Sequence, residues 1–290
     1  MIQSVIFPKA NTGPRLSLNS DELQFFDLFG FIVLKQFFSE CEVEKIHKEI
    51  EKAKEITFAG LPFDPTIPSS DRLQTIQLSS TYSPFIFTLS EDERAYGIAK
   101  QIFDEELIGH QCHASMFVGD TRWHPDHPPI NPYPDHRYGI KFGFYTDTLT
   151  ADTGALRIIP RSHKQPYYGD LKKMPGISNP ENIEAFPGFA CESNPGDIVL
   201  FNLNCWHASR GGKAGRTMLE IVYYSYPKST DHIEAMRGQI KWSKQVFKTR
   251  TDEKSAKPNY RKEWYLNKGN SPLRASWIER QEKLGIADLS

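Results

Sequence analysis

Hydrophobic residues recur with two different periods along this chain, and the period changes near residue 111. Before that point apolar positions fall three or four apart. Val43, Ile46, Ile50 and Ala53 form one stripe among Glu and Lys residues, the pattern of a helix that packs one face and wets the other. "NSDE" (19–22), "SECE" (39–42) and "SEDE" (90–93) each set an Asn or Ser three residues ahead of a Glu. In such a box each side chain satisfies an amide of the other residue, so helices are predicted to begin near Ser20, Glu40 and Glu91. Gly30 closes the first helix, and the apolar, β-branched run "GFIVLKQFF" after it predicts a strand.

From residue 111 onward the apolar runs are short and bounded by Gly, Pro and Asp: "CHASMFV", "YGIKFGFYTDTL", "GALRIIP", "GDIVLFNLNCWHAS" and "RTMLEIVYYSY". Many short strands without alternating helices predict an antiparallel sandwich or barrel. After Tyr226 the chain turns basic and Trp-bearing, with a helix-like stretch around 231–248 and the charged segment "KTRTDEKSAKPNYRKEW". No Gly- or Ser-rich linker isolates this tail, so it is expected to wrap the barrel. The expectation is one domain over 1–290: a helical region to about 110, a β core over about 111–226, and a helical extension from about 227 to the end. No internal repeat interrupts it.

Charge removes several partners. Lys and Arg total 35 against 36 Asp and Glu, so no overall field recruits nucleic acid or an anionic membrane. No apolar run approaches the roughly 20 residues of a membrane span, and the N-terminal stretch lacks the pattern of a secretory signal. The expectation is a soluble, cytoplasmic protein. Cys41, Cys112, Cys191 and Cys205 lie far apart without CxxC pairing and read as reduced thiols.

The candidate chemistry begins at "WHPDHP" (123–128). Side chains at i and i+2 of an extended chain point the same way, so His124 and Asp126 can share an ion. Alone, such a pair also suits a solvated loop. "NCWHASRGGKAGRTMLEI" supplies a third ligand in His207, at the end of one apolar strand. Arg216 opens the next strand after a glycine-rich turn and could reach something bound at the same metal. Two imidazoles and one carboxylate leave three positions open on an ion, the arrangement of non-haem Fe(II) oxygenases. A planar Arg fork suits the far carboxylate of an oxo-acid cosubstrate.

The order His124, Asp126, "DTGALRIIPRSHK", "PGDIVLFNLNCWHAS" and Arg216, preceded by "FFDLFGFIVLKQFFSECEVEKI", resembles the phytanoyl-CoA dioxygenase family over roughly residues 20–226. The resemblance implies a mainly β protein with flanking helices, built on a double-stranded β-helix (a cupin-like jelly roll) with iron at its mouth. It implies an Fe(II)/2-oxoglutarate-dependent oxygenase that uses O2, forms succinate, and hydroxylates, desaturates or cyclises a small metabolite. His124, Asp126 and His207 then become the iron ligands and Arg216 the 2-oxoglutarate clamp. Arg216 follows His207 by nine positions (216 − 207), slightly fewer than is usual, so Arg210 stays a rival. "PRSH" also departs from the usual "PGSH", with Arg161 in place of glycine.

In the family the strand face bearing Lys141 and Tyr145 looks into the barrel, so both could touch 2-oxoglutarate or substrate; packing alone is the alternative. His127 is out of phase with Asp126 and should point away. His163 is expected to order a turn, His110, His113 and His136 to be polar surroundings, and Trp123 and Trp206 to be walls. Residues 59–75, 127–139 and the tail after 226 are candidate covers for the mouth. Arg72, Arg137 and Lys141 lie in or beside them and suggest a carboxylate-bearing substrate, with solvation or pairing to Asp as the alternative. Two other functions use the same residues: a binding jelly roll that no longer turns over, and a zinc hydrolase, although no general base adjoins the triad.

Overall fold

The computed structural model describes residues 15–58, 73–103, 106–126, 138–238 and 261–287. Helix α1 (Ser20–Phe29) starts as its box predicts: Glu22 N–H donates to Asn19 Oδ1 (2.9 Å) and Asn19 N–H to Glu22 Oε2 (3.0 Å). It ends at Gly30, whose φ of 85° is left-handed backbone that glycine adopts without a Cβ clash. Strand β1 (Phe31–Leu34) follows, then α2 (Glu40–Phe58), where Ser39 and Glu42 cap each other and Ile46, Ile50 and Ala53 are buried. The third box behaves differently. Ser90 is buried in a 3-10 turn, and Asp92 instead accepts from Arg94 N–H, so the helix begins at Glu93. Between them lie β2 (Leu73–Ile76) and the short α3 (Pro84–Phe87); α4 (Glu93–Phe103) leads into β3 (Leu107–Gly109).

Next come β4 (His113–Phe117), β5 (Thr121–His124), β6 (Gly139–Tyr145), β7 (Leu156–Ile158), α5 (Tyr167–Lys173), β8 (Phe189–Cys191), β9 (Ile198–Asn202), β10 (His207–Ser209) and β11 (Arg216–Ser225). They form two antiparallel sheets. One has seven strands, ordered β1-β9-β6-β11-β4-β2 with β3 also on β11; the other has four, ordered β5-β10-β7-β8. The jelly roll is therefore present, and the nominally helical N-terminal region lends it β1, β2 and β3. The run "GDIVLFNLNCWHAS" is two strands rather than one. Asn202 carries the turn between them: its side chain accepts from Asn204 N–H and its carbonyl from Cys205 N–H, both at 2.9 Å. Across that turn the chain leaves the large sheet at β9 and enters the small one at β10.

Strand alternation sorts the core into two layers. Ile140, Phe142, Phe144, Ile198, Leu200, Leu219 and Ile221 point outward from the large sheet, under the N-terminal helices. Tyr145, Val199, Phe201 and Met218 point inward and meet Leu156, Ile158 and Cys191 of the small sheet. A third cluster, with Trp123, Tyr168, Trp206 and Ile183, backs the small sheet, so both tryptophans are walls as expected. C-terminal helix Pro272–Lys283 packs Trp277, wholly buried, onto the large sheet's outer layer. No helix among the described residues is long and apolar enough to cross a membrane.

Candidate metal centre

Strand pairing brings the predicted ligands together. β5 and β10 are adjacent and antiparallel, and His124 lies directly opposite His207. Their rings stand 4.3 Å apart between centroids. Asp126 follows β5, and its amide donates to Leu203 O (3.1 Å), which ties the loop to the turn between β9 and β10. One ligand atom from each of His124, Asp126 and His207 falls within 4.8 Å of the others. Among the described residues this is the one such grouping of His, Cys, Asp or Glu.

The imidazoles are oriented from behind. His124 Nδ1 lies 2.8 Å from Arg122 O and His207 Nδ1 lies 2.9 Å from Cys205 O. A carbonyl only accepts, so each ring carries a proton on Nδ1, which leaves Nε2 as the nitrogen available to a metal. His207 Nε2 lies 3.5 Å from Asp126 Oδ1. Burial and the neighbouring His207 push the His124 pKa down to about 4, so the ring stays neutral near neutral pH. Burial alone would raise the Asp126 pKa, but its surroundings, the Lys141 ammonium foremost, outweigh burial and hold the carboxyl well below its usual range. The donor set of two imidazoles and one ionised carboxylate fits an Fe(II) ion.

Arg216, at the start of β11, is 1% exposed and lies inside the barrel. Its Nη1 donates to Gly154 O (3.0 Å) and its Nη2 to Ser209 Oγ (2.9 Å). The guanidinium faces the Phe117 and Tyr145 rings at 5.5 and 5.8 Å. A Cβ on Gly154 or Gly212 would overlap it, so the two glycines make its slot. Arg216 Nε is buried with no hydrogen-bond partner among the described residues, an open donor on a side chain bonded to Ser209, two residues along β10 from His207. The rival Arg210, by contrast, is exposed and paired with Glu184. Sequence reading missed Ser209, although its spacing from His207 puts both on one face of β10.

Lys141 is placed where its strand face predicted, but it is already engaged. Its ammonium lies 2.8 Å from Glu220 Oε2 and 2.9 Å from Asp126 Oδ2, the latter an ion-pair contact without good hydrogen-bond alignment. Burial, which alone would lower the Lys141 pKa, is outweighed by the two carboxylates, which raise it. Glu220 is the second residue that sequence reading missed. The phenol of Tyr145, also facing inward, is pushed up to about 12, chiefly by burial. His163 is buried against Asp27 O (3.3 Å), at the turn where Arg161 takes a φ of 66° in place of the usual glycine. Arg72, Arg137, His127 and His136, with most of both predicted covering loops, lie outside the described residues.

A family model described as phytanoyl-CoA dioxygenase matches residues 26–218, a span that contains the triad and Arg216. The chain belongs to the phytanoyl-CoA dioxygenase family. Ectoine dioxygenase of Bordetella parapertussis is 26% identical over 217 residues, covering 67% of this chain and 70% of that relative. Among solved structures, EctD from S. alaskensis with bound Fe superposes with a TM-score of 0.54 at 22% identity, covering 76% of this chain and 80% of its own. HygX from Streptomyces hygroscopicus with nickel and 2-oxoglutarate bound gives the same score at 18% identity, covering 72% and 88%. This member of the family is an Fe(II)/2-oxoglutarate-dependent dioxygenase with a jelly-roll fold.

Proposed function

We propose that His124, Asp126 and His207 hold one Fe(II), that Arg216 and Ser209 receive the far carboxylate of 2-oxoglutarate beside Tyr145, and that the enzyme hydroxylates a C–H bond of a small metabolite. The observation that carries this reading is the joint geometry: two imidazoles opposed across β5 and β10, each held by a carbonyl at Nδ1, and a buried arginine with an unused donor, bonded to Ser209 two residues along β10 from His207. Iron and 2-oxoglutarate, when bound, supply the oxidative decarboxylation to succinate and CO2 that drives C–H oxidation. The chain's residues contribute position. The carbonyls of Arg122 and Cys205 fix the rings, the glycine slot fixes the guanidinium, and the apolar inner layer keeps the reacting region dry.

Desaturation and oxidative ring closure are variants of the same first hydrogen abstraction. The relative named ectoine dioxygenase supports a small polar metabolite as substrate class. The whole chain acts as one domain, its flanking helices packed on the β core.

Fe(II)-reconstituted protein, given 2-oxoglutarate, O2 and a metabolite panel that includes ectoine, is expected to release succinate with at least one substrate. His124→Ala, Asp126→Ala and His207→Ala should abolish release while keeping the wild-type circular dichroism. Full release in any of these three variants, or turnover of a panel compound without O2 or 2-oxoglutarate, would overturn the assignment.

A further inference from the structure

Lys141 sits on β6 opposite Phe201 of β9 and Val222 of β11, on the inward face of the large sheet. Its ammonium is wedged between two carboxylates, Asp126 Oδ2 at 2.9 Å and Glu220 Oε2 at 2.8 Å, and lies 5.8 Å from the Phe201 ring centre. Asp126 thus has its two oxygens in different surroundings. Oδ1 faces His207 Nε2, and Oδ2 faces the lysine.

That difference matters for coordination. A carboxylate can bind a metal through one oxygen or both. Two imidazoles and one oxygen leave three positions; a second carboxylate oxygen would leave two, too few for a bidentate oxo-acid and O2 together. An ammonium has three donors and no acceptor, so Lys141 can hold Oδ2 without itself becoming a ligand. Glu220 supplies the opposing pull that keeps the lysine at this distance.

We propose that Lys141 is a positioning residue: by pairing with Asp126 Oδ2 it restricts that carboxylate to coordination through Oδ1, with Glu220 anchoring the ammonium from the other side. The inference rests on the metal reading of the triad and assigns Lys141 to Asp126 rather than to 2-oxoglutarate or substrate. Partners of a ligating carboxylate affect affinity and geometry even though they never touch the metal.

The test uses the full chain loaded with Co(II) without oxygen, read by its visible d–d spectrum and by 2-oxoglutarate titration. Lys141→Met, similar in length but uncharged, should still take up Co(II) with an altered spectrum, and 2-oxoglutarate should bind about ten- to a hundredfold more weakly. Lys141→Arg should restore most of the wild-type behaviour, and Glu220→Gln should shift the spectrum in the same direction as Lys141→Met by a smaller amount. Combining Glu220→Gln with Lys141→Met should add nothing to Lys141→Met alone. A wild-type spectrum and 2-oxoglutarate affinity in Lys141→Met would overturn the proposal; if that variant does not fold, an unchanged Glu220→Gln spectrum overturns it. Failure of the wild-type chain to bind Co(II), or equal binding by His207→Ala, would overturn the metal reading and the proposal with it.

Discussion

The proposed ligands and the proposed clamp were legible as single residues because each announces a chemistry: imidazoles, a carboxylate, and an arginine after a glycine-rich turn. Ser209 and Glu220 were not, since a serine or glutamate in a strand acquires meaning only from what its neighbours bring within reach. Arg216 and Arg210 could be separated only by burial. Arg216→Lys keeps the charge but loses the fork, and should weaken 2-oxoglutarate binding by about 1.5 to 3 kcal/mol in an anaerobic titration, whereas Arg210→Lys should leave it unchanged. Equal effects would remove Arg216 from the clamp. His124 makes a second prediction. Its folded pKa of about 4 lies below the ordinary 6.5, so between those values the unfolded chain binds a proton that the folded chain refuses. Metal-free protein should therefore lose stability as pH falls through that window, by at most about 1.4 kcal/mol per pH unit from this group. Urea denaturation from pH 7 to 4 should show a shallower loss in His124→Gln; an identical slope in both proteins would refute the assignment.

At the scale of elements, capping boxes and strand periodicity located most of the fold, and their failures are instructive. The box at 90–93 was displaced because Ser90 is drawn into the core and Asp92 is free to cap. The run from Gly196 to Ser209 hid a crossing between sheets, because apolar periodicity is the same on either side of the turn at Asn202. The glycines carried information of a different kind. Gly154 and Gly212 come from separate loops, yet both lie where a Cβ would overlap the Arg216 guanidinium. Gly212 does not have a positive φ, so alanine there probes the slot without backbone strain. Gly212→Ala should weaken 2-oxoglutarate binding about as much as Arg216→Lys does, with Co(II) uptake unaltered. Loss of both together would mean that the substitution disturbs the whole barrel rather than the clamp.

For the whole molecule, the sequence suggested a tail that wraps the barrel, and its last helix is joined to the structure more intimately than wrapping implies. Trp277 is wholly buried and lies 5.9 Å from the Tyr223 ring and 5.8 Å from that of Tyr96, bridging the last helix to the large sheet and to α4. A Cβ on Gly109 would overlap its indole, so β3 keeps a glycine where the ring crosses. Around it Arg280 Nη1 donates to Leu107 O (2.7 Å), Gln281 Nε2 to Gly109 O (3.2 Å), and the buried Arg274 pairs with Glu91 at 2.5 Å. Composition could not foresee this, because a polar helix with one buried tryptophan reads as surface until its partner sheet is known. Trp277→Ala leaves a cavity against both the sheet and α4, and should cost about 3 to 5 kcal/mol in chemical denaturation. Exposed tryptophans give no such effect, so a loss below about 1 kcal/mol would place the helix outside the cooperative unit. Because β3 pairs with β11, whose first residue is the proposed clamp, the same variant should also unfold in one transition shared by the barrel and the tail, seen as coincident fluorescence and circular dichroism curves. Two separate transitions would mean that the tail folds on its own and that the chain is more than one domain.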